Sequence, residues 1–202
     1  MNRPLDASGA PEDLVPGAPD ALPVEAQEPG TAHVRPARPS DVPEILALVR
    51  ELAEYERSAH EVQASEDLVA ELLFGTNTPG GTPAAFCHVV EAADAEAPHR
   101  LAGFALWFLN TSTWTGRHGI YLEDLYVRPA ERGRGLGRAL MAELARICLD
   151  RGYARLEWWV LDWNTPAIDF YRTLDARPMD EWTVHRLSGE SLRRLANAPR
   201  TT

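Results

Sequence analysis

The sequence contains no lysine; all 20 of its basic residues are arginine. That absence excludes phosphate grips of the P-loop type, which need a lysine ammonium, and any Schiff base on a lysine side chain. Cysteine is nearly as scarce. Cys87 and Cys148 are the two present, and their separation offers no C-x-x-C pair for metal or redox work. They read as small core residues in a reducing cytoplasm. Long apolar runs are also missing. None approaches the ~20 residues a membrane span requires, and the N-terminal segment lacks the basic-then-apolar order of a signal peptide. These features predict a cytoplasmic chain. Positive charge is outnumbered, 30 acidic residues against 20 basic, for a net charge of −10. Backbone binding to nucleic acid needs clustered positive charge, so that partner is not expected. An acidic surface suits solubility or a cationic partner such as an amine. The six histidines show no ligand spacing, so no metal is expected either.

What is present divides into two parts. Residues 1–30 are rich in Pro, Ala, Gly and acids with few large apolar residues. Such a segment cannot offset its ordering entropy, which predicts a disordered acidic tail before one domain over 31–202. Within the domain, strand signals fall at 32–37, 84–92, 100–110, around 121–127 and at 154–161. Helical patterns cover 40–56 with Ser40 as N-cap, 65–74 starting at Ser65, 136–152 closed by Gly152, and 165–174 with Pro166 in its first turn. The stretch "ADAEAP" reads as a hairpin connection. Two strand-like pieces, "RPMDEW" and "TVHRLS", precede a last helical piece from about Ser188. An α/β (α+β) domain with a mixed sheet and helices on both faces is the natural assembly.

Two stretches carry chemistry. "YLEDLYV" (121–127) sets adjacent carboxylates, Glu123 and Asp124, inside a run of strand formers. In a regular strand, neighbours point to opposite faces. The pair therefore requires a solvated face, a ligand, or a bulge that redirects one of them. "RPAERGRGLGRAL" (128–140) joins that strand to a helix. Its glycines at 133, 135 and 137 allow tight turning, and free amides at a helix N-terminus make an anion site. Arg132, Arg134 and Arg138 add charge-assisted donors, which suits phosphate. A dinucleotide fingerprint would need glycine where Arg138 stands.

Arg132-Gly-Arg-Gly-Leu-Gly137 resembles the R/Q-x-x-G-x-G/A loop of the GNAT superfamily of acyl-CoA-dependent N-acetyltransferases. "VRPARPSD" and "WNTPAIDFYRTLDA" (163–176) are similar to that superfamily's first strand and turn and to its Asn-then-Phe-Tyr helix. "ELAEYE", "WTG", "YLEDLYV" and "WN" resemble the spermidine/spermine (diamine) branch and its thialysine-acetylating relatives. One departure is Asp175, where members commonly have glycine; Asp tolerates left-handed backbone, so the turn is expected to survive.

The resemblance implies a GNAT fold, with a six- to seven-stranded mixed sheet splayed at an acetyl-CoA cleft. It implies direct attack of an amine on the thioester, with no metal. Glu123 would bind the acceptor amine and help remove its proton, and Tyr171 would protonate the leaving thiolate. Backbone groups of Leu125, Tyr126 and Val127 would pair with the pantetheine arm. Arg132, Gly133, Arg134, Gly135, Leu136, Gly137 and Arg138 would hold the pyrophosphate, and Asn164 would hydrogen-bond the cofactor near the strand fork. Tyr55, Glu56, Asp124, Glu157, Trp158, Trp159 and Glu181 are further acceptor-pocket candidates, since aromatic faces and carboxylates favour alkylammonium chains. The acceptor expected is a primary amine of a small cationic molecule, diamine- or polyamine-like. A thialysine-like amino acid, an antibiotic amine, a protein amine and a non-catalytic acyl-CoA-binding role are the alternatives. A homodimer is implied by the same branch.

Overall fold

The structure, a computed structural model, describes residues 33–92 and 100–198. The expected tail and the "ADAEAP" connection lie outside those residues. Five strands form one sheet in the order β1 (Val34–Pro36), β2 (Phe86–Glu91), β3 (Leu101–Ser112), β4 (Arg117–Val127) and β5 (Leu156–Trp158). The first four pair antiparallel, and β5 joins β4 in parallel. Among the described residues five α-helices accompany them: α1 (Val42–Tyr55), α2 (Glu66–Phe74), α3 (Leu136–Asp150), α4 (Thr165–Arg172) and α5 (Gly189–Ala196).

Alternation along the strands builds two cores. One face of the sheet carries Val89, Phe104, Leu106 and Tyr126, on which α1 and α2 lay Ile45, Leu48, Val69 and Leu73. The other carries Val90, Ala105, Trp107, Ile120 and Leu122, against which α3 buries Leu140, Met141, Leu144 and Cys148. Both helical stripes follow the 3.6-residue period, so burial of a single face fixes each helix.

Helix ends follow the expected chemistry with one exception. The Ser65 hydroxyl accepts from the Leu68 N–H at 3.3 Å. Gly152 takes φ +65° at the end of α3, with Tyr153 N–H donating to Cys148 O at 2.8 Å, the bonding of a Schellman ending. The exception is Ser40, which lies inside a 3-10 turn (Pro39–Asp41) and does not cap α1. Asp41 stands at the N-cap position of α1 without a side-chain cap bond; its fully buried carboxylate instead accepts from Arg38 N–H at 2.8 Å and Arg35 Nη1 at 2.7 Å, and also from Arg100. Burial alone would raise its pKa, but these donors outweigh that effect and hold it near about 2. A buried carboxylate with this many donors is satisfied where a serine hydroxyl could not satisfy them. Asp175 adopts φ +57°, so the turn after α4 survives without glycine, as expected.

Among the described residues the sheet has five strands, fewer than the six or seven expected. "RPMDEW" and "TVHRLS" run without regular structure, and Met179, Trp182, Val184 and Leu187 among them are exposed. A strand exists only with a ladder partner. The edge they would join, β5, is three residues long where sequence alone predicts eight over 154–161, so it offers little to pair with.

The cause of that short edge also positions the site. Between β3 and β4 the register passes from Leu106↔Asp124 to Trp107↔Leu122, leaving Glu123 as an extra residue. This β-bulge resets the alternation. Ile120 and Leu122 face α3 before it, and Leu125 and Val127 face α3 after it. Pairing of β4 with β5 spans only Ile120–Leu122 and Leu156–Trp158. The two strands therefore part at the bulge and open a fork.

Candidate active site

Beyond Leu122 the edge of β4 that faces β5 has no strand partner among the described residues, so backbone groups of residues 123–127 face the fork. A partner supplying alternating donors and acceptors could lie there as an added strand. Leu125 and Val127 are half-buried, and the Tyr126 side chain is buried on the α1 side.

The bulge answers the question raised by the adjacent carboxylates. Were β4 regular, Glu123 and Asp124 would point to opposite faces. The extra residue instead turns Asp124 toward the α1 face, the face that carries Tyr126, while Glu123 is exposed at the fork. Glu56, at the end of α1, comes close enough to act on Asp124. Burial, followed by the negative charges of Glu123 and Glu56, pushes the Asp124 carboxyl up to about 7. Burial also raises the Glu56 carboxyl. Three carboxylates from two elements thus converge at one point.

Across the fork, α4 presents Tyr171. Its ring lies 4.7 Å from Trp158 and 5.3 Å from Phe170, and the Tyr171 carbonyl receives the Ala176 N–H at 3.3 Å. Burial first, with the Glu56 charge second, pushes its phenol up to about 12. The phenol therefore stays a proton donor across the neutral and alkaline range. Asn164 starts α4; its Oδ1 accepts from the Ala167 N–H at 3.3 Å and from the Tyr55 hydroxyl at 2.9 Å.

At the far end of β4, Gly133 and Gly135 both take φ +77°, left-handed geometry that an L side chain resists. Gly135 precedes α3 without any side-chain cap, which leaves the first amides of a 15-residue helix to an outside acceptor. Arg132, Arg134 and Arg138 are exposed around them. Arg134 pairs with Glu131 at 2.6 Å, and Arg138 donates to Thr173 O at 3.0 Å. Arg132 donates from Nε to Val127 O at 2.9 Å and stacks over Tyr55 and Tyr126, 5.3 and 5.6 Å from their centroids. The chemistry of this donor set fits a polyanionic, phosphate-bearing group.

The other acceptor-pocket candidates divide. Glu157 faces the α1 side beside Tyr121, but Asn110 Nδ2 at 2.6 Å and Arg155 at 2.8 Å already occupy its carboxylate. Trp158 packs on Tyr171 and acts as its backing. Trp159 is exposed, edge-on to Tyr121 at 5.5 Å. Glu181 lies on the exposed stretch after α4 and makes no ion pair among the described residues. A separate cavity of about 470 Å³, lined by Phe86, His88, Trp107 and Glu143, opens against α3 on the opposite face of the sheet from Asp124. Sequence reasoning did not find the Tyr55–Asn164 bond, because the partners are 109 positions apart and only the fold juxtaposes them.

Residues 46–175, which span Tyr55, the bulge, the glycine loop and Tyr171, match the Acetyltransferase (GNAT) family. The chain belongs to that family. This N-acetyltransferase is 40% identical over 169 residues to a thialysine N-epsilon-acetyltransferase of Sus scrofa, covering 81% of this chain and 96% of that protein. It is 31% identical to an L-ornithine N5-acetyltransferase of Arabidopsis thaliana, over 87% of this chain and 97% of the relative. Among solved structures, an integron cassette protein of V. cholerae superposes with a TM-score of 0.66 at 22% identity, covering 84% of this chain and all of that one. The structural likeness carries the fold, and the sequence relatives carry the N-acetyltransferase class.

Proposed function

We propose that this N-acetyltransferase transfers the acetyl group of acetyl-CoA to the terminal primary amine of a small cationic acceptor. The observation that carries the reading is the fork. It sets Asp124, Glu123 and Glu56 on one side and Tyr171 on the other, at the end of an unpaired strand edge that leads to the glycine loop. Acetyl-CoA supplies a thioester whose carbonyl carbon is open to attack by an amine. The β4 edge at Leu125–Val127 holds its pantetheine arm, and residues 132–138 with the α3 amides hold its pyrophosphate.

The carboxylates have a division of labour. An alkylammonium with a pKa near ~10 must lose a proton before it can attack. Glu123, exposed at the fork, attracts and orients the ammonium. Asp124 accepts the proton through water. Against an ordinary carboxylate that transfer is uphill by ~6 pK units, about 8 kcal/mol. Against Asp124, at about 7, the gap is ~3 units or about 4 kcal/mol. Tyr171 donates its phenolic hydrogen to the departing sulfur; a thiolate near ~8.5 is a weaker base than a phenolate at about 12, so the bond stabilises the developing charge, and the proton that ends on the thiol is replaced by the one the acetylated nitrogen sheds.

The three carboxylates favour a polycationic diamine or polyamine. The relatives named for thialysine and ornithine support a second reading, an ω-amine of an amino acid. A thiol-release assay over putrescine, spermidine, thialysine, ornithine and lysine tests both. Turnover is expected with at least one of these ω-amines, and it should fall as the pH drops through the range that protonates Asp124. No thiol release from any amine, with acetyl-CoA bound, would remove the proposal.

We also place the working enzyme in a homodimer. Trp159, Leu161, Trp163, Met179, Trp182, Val184 and Leu187 are all exposed within one stretch of chain. Apolar exposure on that scale marks a surface that binds protein. Sedimentation should give twice the 22.4 kDa chain mass; a monomer at micromolar concentration would contradict it. Buried, unpaired Cys87 and Cys148 support a reducing, cytoplasmic setting, and no helix among the described residues is long and apolar enough to cross a membrane.

A further inference from the structure

Tyr55 meets two elements in this structure, the start of α4 and the glycine loop. Asn164 is 7% exposed, and one atom of its amide group meets two neighbours, the Ala167 N–H at 3.3 Å and the Tyr55 hydroxyl at 2.9 Å. A backbone N–H can only donate. The atom facing Ala167 must therefore be the carbonyl oxygen, so the amide cannot be flipped. The same oxygen can only accept, so the Tyr55 hydroxyl donates to it. Both lone pairs of Oδ1 are then engaged, and Nδ2 is the polar end left over. Among the described residues nothing accepts from Nδ2.

The Tyr55 ring is itself held. Arg132 of the glycine loop stacks over its face at 5.3 Å, and Trp163 packs at 5.9 Å. Tyr55 thus stands between the loop that follows β4 and the start of α4, elements on opposite sides of the fork.

From this geometry we infer that Tyr55 is a positioning residue for cofactor binding: its hydroxyl fixes Asn164 so that the Nδ2 amide donates into the fork, toward a carbonyl of the pantetheine arm. The inference rests on the reading of Asn164 as a contact of acetyl-CoA. It differs from a role for Tyr55 in holding the acceptor, because it predicts an effect on the other substrate.

The test is calorimetry with coenzyme A on the full chain, beside steady-state kinetics for acetyl-CoA and for the preferred amine. Tyr55→Phe removes the hydroxyl and keeps the ring under Arg132. Asn164→Asp keeps the oxygen that caps α4 and accepts from Tyr55, but removes the Nδ2 donor. Tyr55→Phe is expected to weaken coenzyme A about three- to tenfold, the loss of one hydrogen bond, with the acceptor KM unchanged. In the Asn164→Asp background the same substitution should cost nothing further, since its effect runs through the missing donor. An unchanged Kd with a raised acceptor KM would overturn the inference, as would losses that add in the double variant. Wild-type affinity in Asn164→Asp would instead overturn the assignment of Asn164 to the cofactor.

Discussion

Asp124→Asn is expected to lower kcat/KM for the amine about 100-fold, the contribution of a well-placed general base, and at the same time to raise the Tm at pH 8. The two effects have one cause. A carboxyl with an ordinary value of 3.8 is pushed up to about 7 by burial and by Glu123 and Glu56. Between those values the folded state holds a proton that the unfolded state has released. Stability therefore falls as pH rises from about 4 to about 7, and the full deficit is present above pH 7. Asn removes the buried charge and recovers that deficit, a trade of stability against activity. In the wild type, kcat/KM should climb through about pH 7 as Asp124 ionises, and the variant should lose this step. Glu123→Gln separates the two carboxylates. Its effect should fall chiefly on the acceptor KM, because Glu123 orients the ammonium and does not take its proton. If Glu123→Gln abolishes the pH step and Asp124→Asn leaves it intact, the two roles are reversed.

Much of this site was legible in the residues themselves. The glycine loop and the amphipathic α3 that follows it are local features, so their spacing is enough to read them. The left-handed turn at Asp175 was legible for the same reason. The bulge was legible only as one of three options. The adjacent carboxylates of "YLEDLYV" require a solvated face, a ligand or a bulge, and only pairing with β3 reveals that Glu123 has no partner opposite it. The short β5 and the missing sixth and seventh strands follow from the same non-local event, since a strand that departs from its neighbour leaves no ladder to extend. The Tyr55–Asn164 bond and the approach of Glu56 to Asp124 likewise join the end of α1 to residues far along the chain. Periodicity and motif spacing record what happens within one element. They carry no information on which two elements meet at a fork.

Tyr171→Phe is the second large effect, an expected drop in kcat of about 100-fold with coenzyme A affinity held within the scatter of wild type. The ring makes the packing contacts, with Trp158 at 4.7 Å and Phe170 at 5.3 Å, and phenylalanine keeps them. Only the hydroxyl is lost. A group that acts on the departing sulfur stabilises the transition state and not the bound ground state, so kcat falls and binding does not. The pH dependence separates this role from a structural one. The phenol is pushed up to about 12, so the wild type should keep its acid through pH 10, with no descending limb in kcat below that. A thiolate whose conjugate acid is more acidic than coenzyme A, at about 8.5, needs less help as a leaving group. Acyl donors whose thiols have lower pKa values should therefore recover part of the lost rate in Tyr171→Phe and gain little in the wild type. Equal gains in both proteins, or a loss confined to coenzyme A affinity, would remove the acid role and leave Tyr171 as packing for the fork.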